Sequence, residues 1–140
     1  MKLLVFTTLY PNAEQRHHGL FVEKRLLELI RRYPCDVRVI APVPWFPRWL
    51  SGGRYAAFAR VPRREKRAGV EILHPRYLVV PNLTWRFAPL MLGLGSLRTV
   101  WGLRRQGFVF DLIVAHFVFP DGVAAQMLGA LCAVPVCITA

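Results

Sequence analysis

The chain of 140 residues has the length of one ordinary domain. It is 54% hydrophobic and 19% charged, with a mean hydropathy of +0.33, which excludes a disordered chain and is enough to bury a real core. The formal net charge of +11 favours anionic partners, among them nucleic acid, acidic lipid and phosphate-bearing substrates, without selecting one of them.

Two strands around one amphipathic helix are predicted for the first part of the chain. Residues 2–8 are apolar and rich in β-formers, and the turn residues Tyr10-Pro11-Asn12 close this strand. A helix begins at Leu20, where apolar residues start to recur every three or four positions, and Pro34 ends it. A second strand covers residues 37–41.

The rest of the chain continues this alternation. We expect an irregular stretch, a third strand, a helix within a longer segment, a fourth strand, a second long helix and a fifth strand. In order, these cover residues 42–69, 70–73, 81–106, 112–115, 121–133 and 136–139.

This order of elements predicts an α/β domain with a Rossmann-like, doubly wound and mostly parallel sheet. The chain stops directly after its last predicted strand, whereas a domain of this class usually continues into a helix. We therefore expect residues 1–140 to be one truncated domain.

The cysteines and the apolar segments indicate the cellular setting. The three cysteines form no CxxC pair and cannot all pair with one another, which favours a reduced, cytoplasmic protein. The apolar run at residues 1–6 is too short for a signal peptide. Residues 122–140 carry no charge, but Gln126, Gly129 and Pro135 interrupt them, so we predict a helix and a strand there and no membrane span.

A ligand site is expected where the strand order of the sheet reverses, beyond the carboxyl ends of the strands. If the first strand is central and the fourth lies beside it, the loops 9–19 and 116–122 frame that crevice. Gly19 opens the first helix, whose free N–H groups and dipole attract phosphate. The alternative is a glycine that only eases a loop into a helix.

Four further candidate site residues fall on these two loops. His116 directly follows the fourth strand and is placed to hydrogen-bond a sugar hydroxyl or a developing charge, although a packed structural histidine is the alternative. Asp121 is a candidate substrate ligand, with a helix N-cap as the favoured alternative. Asn12 and His18 are candidate substrate-binding residues. His17 and His18 lack a carboxylate at useful spacing, so no metal site is predicted.

Two blocks of sequence resemble the amino-terminal domain of family 4 glycosyltransferases. The first is Thr8-Leu9-Tyr10-Pro11-Asn12 followed by His18-Gly19-Leu20-Phe21-Val22; the second is Asp111 to His116 followed by Phe119-Pro120-Asp121-Gly122 and Val134-Pro135-Val136. The likeness is greatest to bacterial transferases that build envelope, exopolysaccharide or teichuronic-acid-type glycans on lipid carriers.

The resemblance implies half of a two-domain GT-B fold, with a nucleotide-sugar donor held between the domains. It implies sugar transfer with retention at the anomeric carbon, no cofactor and no metal. Gly19 matches the family's glycine near the donor diphosphate, and His116 matches its histidine near the transferring sugar. The donor-binding carboxyl-terminal domain is missing, so we expect the isolated chain to be inactive.

Aromatic and basic side chains suggest a second, independent property. Tryptophans, phenylalanines and arginines together suit the headgroup region of an anionic membrane, which favours docking on the inner face of the cell membrane. A core helix flanked by solvated arginines is the alternative, and nucleic-acid binding ranks below both. The rivals to an enzyme are a non-catalytic membrane-associated module and a basic nucleic-acid-binding protein. The aromatic residues are Trp45, Phe46, Trp49, Trp85, Phe87 and Trp101.

Overall fold

A computed structural model describes residues 1–14, 16–46, 56–79 and 85–139. The α-helices are α1 (Leu20–Arg32), α2 (Ala56–Arg60), α3 (Ala88–Arg105) and α4 (Val123–Cys132). The strands are β1 (Lys2–Phe6), β2 (Asp36–Ile40), β3 (Val43–Trp45), β4 (Arg64–Arg67), β5 (Val70–Leu73), β6 (Arg76–Leu78), β7 (Leu112–His116) and β8 (Val136–Thr139). A 3-10 turn (Trp85–Phe87) leads into α3, and a kinked turn (Val118–Gly122) leads into α4.

Six strands form the central sheet in the order β4-β5-β2-β1-β7-β8. All neighbours are parallel except β4 and β5. Leu3 of β1 pairs with Val37 on one side and with Leu112 on the other, so β1 is central and β7 lies beside it. The mostly parallel α/β fold is thus confirmed, and so is the strand order on which the predicted crevice depends.

The sheet is covered on both faces, which explains why its strands are almost wholly apolar. On one face, α1 packs over alternate residues of the central strands, including Val5 and Val39. On the other face, α3 and α4 pack over the intervening residues, including Leu4 and Ile113. Because α1 follows β1 in the chain, its amino-terminal end lies at the carboxyl edge of the sheet, where Phe21 contacts Phe117 after β7.

The prediction of an irregular stretch at residues 42–69 was wrong. Its described part contains β3, α2 and β4, and β3 pairs with β6 in a second, two-stranded parallel sheet. Three-residue strands are too short to show a period. The sequence of β4, Arg64-Glu65-Lys66-Arg67, has no apolar residue to mark it, and such charged strands are typical of sheet edges.

None of the described helices combines the length and the apolar character that crossing a membrane requires. The three cysteines are free thiols: Cys132 is buried, Cys35 is half-buried and Cys137 is exposed.

Candidate functional site

The two loops predicted to frame the crevice meet at the carboxyl edge of β1 and β7. The backbone N–H of Thr8 donates to Asp121 Oδ2 at 2.8 Å, and the Thr8 hydroxyl donates to Asp121 Oδ1 at 3.0 Å. The Thr7 hydroxyl lies 3.4 Å from Asp121 Oδ2. These bonds join residues more than a hundred positions apart in the chain, and we call them the Thr8–Asp121 brace.

Asp121 has a different role from the predicted helix N-cap. The residue before α4 is Gly122, and no side chain caps that helix. Asp121 is fully buried, and burial raises the pKa of its carboxyl, while the hydrogen bonds from Thr8 and Thr7 act against this rise. The N-cap interpretation was therefore wrong: the carboxylate holds the loop after β1 in place.

Gly19 has a clear steric reason to be glycine. Its φ of +70° and ψ of 29° lie in the left-handed region. A Cβ there would come within 2.5 Å of the carbonyl carbon of Leu9 and 2.9 Å of the amide nitrogen of Tyr10. The glycine thus lets the loop after β1 pack against the start of α1. Close approach of a ligand to Gly19 stays a prediction.

Within the described parts of the chain, the first turn of α1 presents amide donors without a hydrogen-bond partner at this edge. The carbonyl of Gly19 accepts the N–H groups of Val22 and Glu23, and no side chain caps the helix. The N–H groups of Leu20 and Phe21 belong to the first turn, which has no intrahelical acceptors. Such groups, together with the helix dipole, stabilise a phosphate placed near them.

The first turn of α1 also contacts the segment that carries His116. The ring of Phe21 packs edge-to-face against that of Phe117, with 6.2 Å between centroids. Phe117 has φ 77° and ψ 141°, a backbone conformation that a residue with a Cβ adopts only under strain. Strain of this kind concentrates at functional sites, and here it falls on the residue next to His116.

His116 lies at the carboxyl end of β7 on the same face of the sheet as α1. The residue is 9% exposed, and its Nδ1 lies 2.8 Å from the hydroxyl oxygen of Thr139 on β8. Burial lowers the pKa of His116, and the guanidinium of Arg25 on α1 lowers it further. The imidazole is therefore neutral at neutral pH and can take part in hydrogen bonds as donor and acceptor.

A cavity of about 240 Å³ lies between the loops that follow β1 and β2. Asn12 and His18 both line it, as predicted for substrate-binding residues, although no substrate contact is shown. The His18 ring contacts the carbonyl of Thr8 at 3.0 Å, and the Asn12 side chain accepts the N–H of Glu14 at 2.9 Å. Both residues thus have local structural partners as well as a face on the cavity.

Two other residues lining this cavity were missed by the sequence reasoning. Tyr77, on β6, is close enough to Asp121 to feel its charge, and burial together with that charge raises the pKa of Tyr77 to about 12. His74 is buried, and its ring nitrogens contact the carbonyl of Ala41 at 2.9 Å and a carboxylate oxygen of Glu65 at 2.7 Å. Neither position carries a local signal, because both depend on the unpredicted β4 and β6.

No three acidic, cysteine or histidine side chains cluster as metal ligands within the described parts of the chain. Catalysis without a metal stays a prediction.

An exposed stripe of apolar and basic residues runs along α3. Its members recur every three or four positions from the turn before the helix to its last residue, so they share one face. We call this the α3 stripe; it consists of Phe87, Leu90, Leu94, Arg98, Trp101 and Arg105. Trp45 is exposed as well, Phe46 is half-buried, and Trp49 and the Trp85 side chain lie outside the described residues.

Comparison with known proteins supports a relation to glycosyltransferases. The chain is 30% identical to the Bacillus subtilis (strain 168) protein named "Putative teichuronic acid biosynthesis glycosyltransferase TuaC". This identity holds over 142 aligned residues, which cover 99% of the chain. The alignment covers 36% of that relative, so the chain spans about a third of its length. The likeness fits a glycosyltransferase family. No protein-family model matches the chain.

Proposed function

We propose, from this likeness to a glycosyltransferase, that the chain is the acceptor-side domain of an enzyme that transfers a sugar from a nucleotide-sugar donor to a glycan or lipid-linked acceptor. In this proposal the fold is half of a GT-B enzyme, and transfer proceeds with retention and without a metal. The donor-binding residues of a second domain complete the active site.

One observation carries the proposal: His116 and the start of α1 lie at the same edge of the sheet, tied together by the contact between Phe21 and Phe117. The uncapped amides of Leu20 and Phe21 suit a donor diphosphate. A neutral His116 nearby suits a hydrogen bond to the transferring sugar. The Thr8–Asp121 brace holds both loops in place. It uses neither the amides of the first turn of α1 nor the His116 side chain.

The cavity lined by Asn12 and His18 is the proposed place for the acceptor. In the sheet it lies on the β2 side of β1, whereas His116 lies on the β7 side, so donor and acceptor would approach from opposite sides of the central strand. Aromatic rings from Tyr77 and Phe58 line it together with polar groups, a mixture that suits a sugar ring.

The α3 stripe supports docking on the cytoplasmic face of an anionic membrane. Leucine and aromatic side chains would enter the interface, and Arg98 and Arg105 on the same face would meet lipid phosphates. A lipid-linked acceptor would then be held at the surface where the enzyme works.

The direct test measures turnover of nucleotide sugars by the complete product of the gene. We expect His116→Gln to lower turnover by about 100-fold or more, the usual loss when a hydrogen-bonding group at a reacting centre is removed. His17→Gln, at an exposed histidine in the neighbouring loop, is the matched control and should stay within about twofold of the wild type. Equal turnover in wild type and His116→Gln would remove His116 from the mechanism. A complete gene product that turns over no nucleotide sugar but still binds vesicles would favour a non-catalytic membrane module.

A further inference from the structure

Thr139 is the in-register neighbour of His116 in the sheet. β7 and β8 are parallel, and the two residues pair at the carboxyl ends of these strands. The Thr139 hydroxyl oxygen lies 2.8 Å from Nδ1 of His116 and 3.4 Å from the carbonyl oxygen of Ala115. The Thr139 carbonyl accepts the N–H of the strained Phe117 at 2.8 Å. A single residue of β8 therefore contacts both the His116 side chain and the peptide that follows it.

The two contacts of the Thr139 hydroxyl bear on which ring nitrogen of His116 carries the proton. A neutral imidazole donates through one nitrogen and accepts through the other. The Thr139 hydroxyl has one proton, and when it is donated to the carbonyl of Ala115, the hydroxyl oxygen is left to accept from Nδ1–H. Nε2 then holds the lone pair, and within the described residues the hydrogen bond found for the His116 ring is the one at Nδ1.

We propose that Thr139 is a positioning residue that holds His116 in its Nδ1–H form and thereby presents the Nε2 lone pair to the substrate. The inference rests on the proposed function and deepens it. An Nε2 lone pair accepts a hydrogen bond from a sugar hydroxyl, whereas it has no proton to donate to a developing negative charge. Of the two roles open to His116 from its sequence position, Thr139 selects the first.

Nitrogen NMR of the His116 ring in the complete gene product at neutral pH tests this directly. The wild type should show a protonated Nδ1 and an unprotonated Nε2. Thr139→Val, which keeps the shape and removes the hydroxyl, should shift the ring toward the Nε2–H form that imidazole side chains favour in water. Thr139→Ser should restore the wild-type spectrum. A wild-type ring protonated at Nε2 would overturn the proposal without any variant having to fold.

Turnover supplies a second readout. Thr139→Val should lower kcat by about five- to tenfold, the factor that one neutral hydrogen bond corresponds to, with KM for the donor little changed. Thr139→Ser should recover most of the loss; no recovery would assign Thr139 a purely structural role. The two proposals fail separately: full turnover in His116→Gln removes the proposed function of His116 while the NMR result stands. If His116→Gln loses turnover but the wild-type ring is protonated at Nε2, only the role of Thr139 is removed.

Discussion

Two features of Gly19 disfavour a side chain: its left-handed backbone and its close packing against Leu9. Gly69 has only the first feature, so it serves as the comparison. Both have positive φ, +70° and +81°, but a Cβ on Gly69 would meet nothing within 4 Å. We expect Gly69→Ala to lower the free energy of unfolding by about 1–2 kcal/mol, the cost of a left-handed alanine. Gly19→Ala should cost clearly more, because the loop at Leu9 must also move. Urea unfolding of both variants tests this, and equal losses would contradict the close approach.

The charge of Arg25 acts on His116 from one turn after Phe21. Because a guanidinium disfavours the imidazolium, Arg25→Gln should raise the pKa of His116, which should still stay below 6.5 because burial is the larger cause. NMR titration measures this, with Lys24→Gln as the control on the exposed neighbouring position. An equal rise in the pKa of His116 in Arg25→Gln and Lys24→Gln would mean that the total charge of the protein, and not the position of Arg25, causes the shift.

The lowered pKa of His116 also makes its contribution to the free energy of unfolding depend on pH. A lowered pKa in the folded state means that the unfolded chain binds the proton more readily. The contribution of His116 to stability is thus present above pH 6.5 and is lost as the pH falls through the folded pKa.

Residue identity and order were enough to predict that the loops carrying His116 and Gly19 lie at the same edge of the sheet, but not to find the residues that act on His116. Thr139 acts on His116 through a hydrogen bond and Arg25 acts on it through charge. Neither carries a local signal, because only the strand register and the packing of α1 bring them near His116. Asp121 shows the same limit, because its position before a helix favours an N-cap while its true partner, Thr8, lies on a distant loop.

Between elements, the Thr8–Asp121 brace joins the loop after β1 to the turn before α4. Thr8→Val removes a hydroxyl from a buried carboxylate and should lower the free energy of unfolding by about 1–3 kcal/mol at neutral pH. The hydroxyl stabilises the charged carboxylate, so its loss should raise the pKa of Asp121 further. The loss of stability should therefore shrink as the pH falls and Asp121 is protonated.

Unfolding at several pH values measures the strength of the brace. Thr99→Val, which removes a half-buried hydroxyl that makes no bond to Asp121, is the control and should show no such pH dependence. A pH-independent loss in Thr8→Val would contradict a charged brace.

The α3 stripe gives a second prediction at this scale. Leu94 and Leu131 are matched in exposure, at 58% and 60%, but only Leu94 lies on the stripe. Leu94→Glu should weaken binding to vesicles with anionic lipid by about tenfold or more, the factor for burying one leucine side chain. Leu131→Glu should bind as the wild type does. Vesicle sedimentation measures this, and equal weakening in both variants would contradict docking through α3.

Elements with a long, clear period were predictable, and short or charged ones were not. The helix from Leu20 and the buried strands of the central sheet follow from apolar spacing alone. β3 and β6 have three residues each and pair with each other, which their sequences are too short to indicate. β4 forms by antiparallel pairing with β5, and its charged sequence does not predict this pairing.

For the whole molecule, the sheet order explains why two distant sequence blocks form one site. β1 is central and β7 lies beside it, so the loops that follow these strands meet although they are far apart in the chain. The alternation of strands and helices predicted this class of fold.

The central claim is that the carboxyl edge of β1 and β7 binds a nucleotide sugar. Amide NMR of the complete gene product during titration with nucleoside diphosphate sugars tests it most directly. We predict saturable shifts at Leu20, Phe21 and His116, with little change along the α3 stripe. Shifts confined to the α3 stripe, or shifts produced only by single-stranded nucleic acid, would contradict the account.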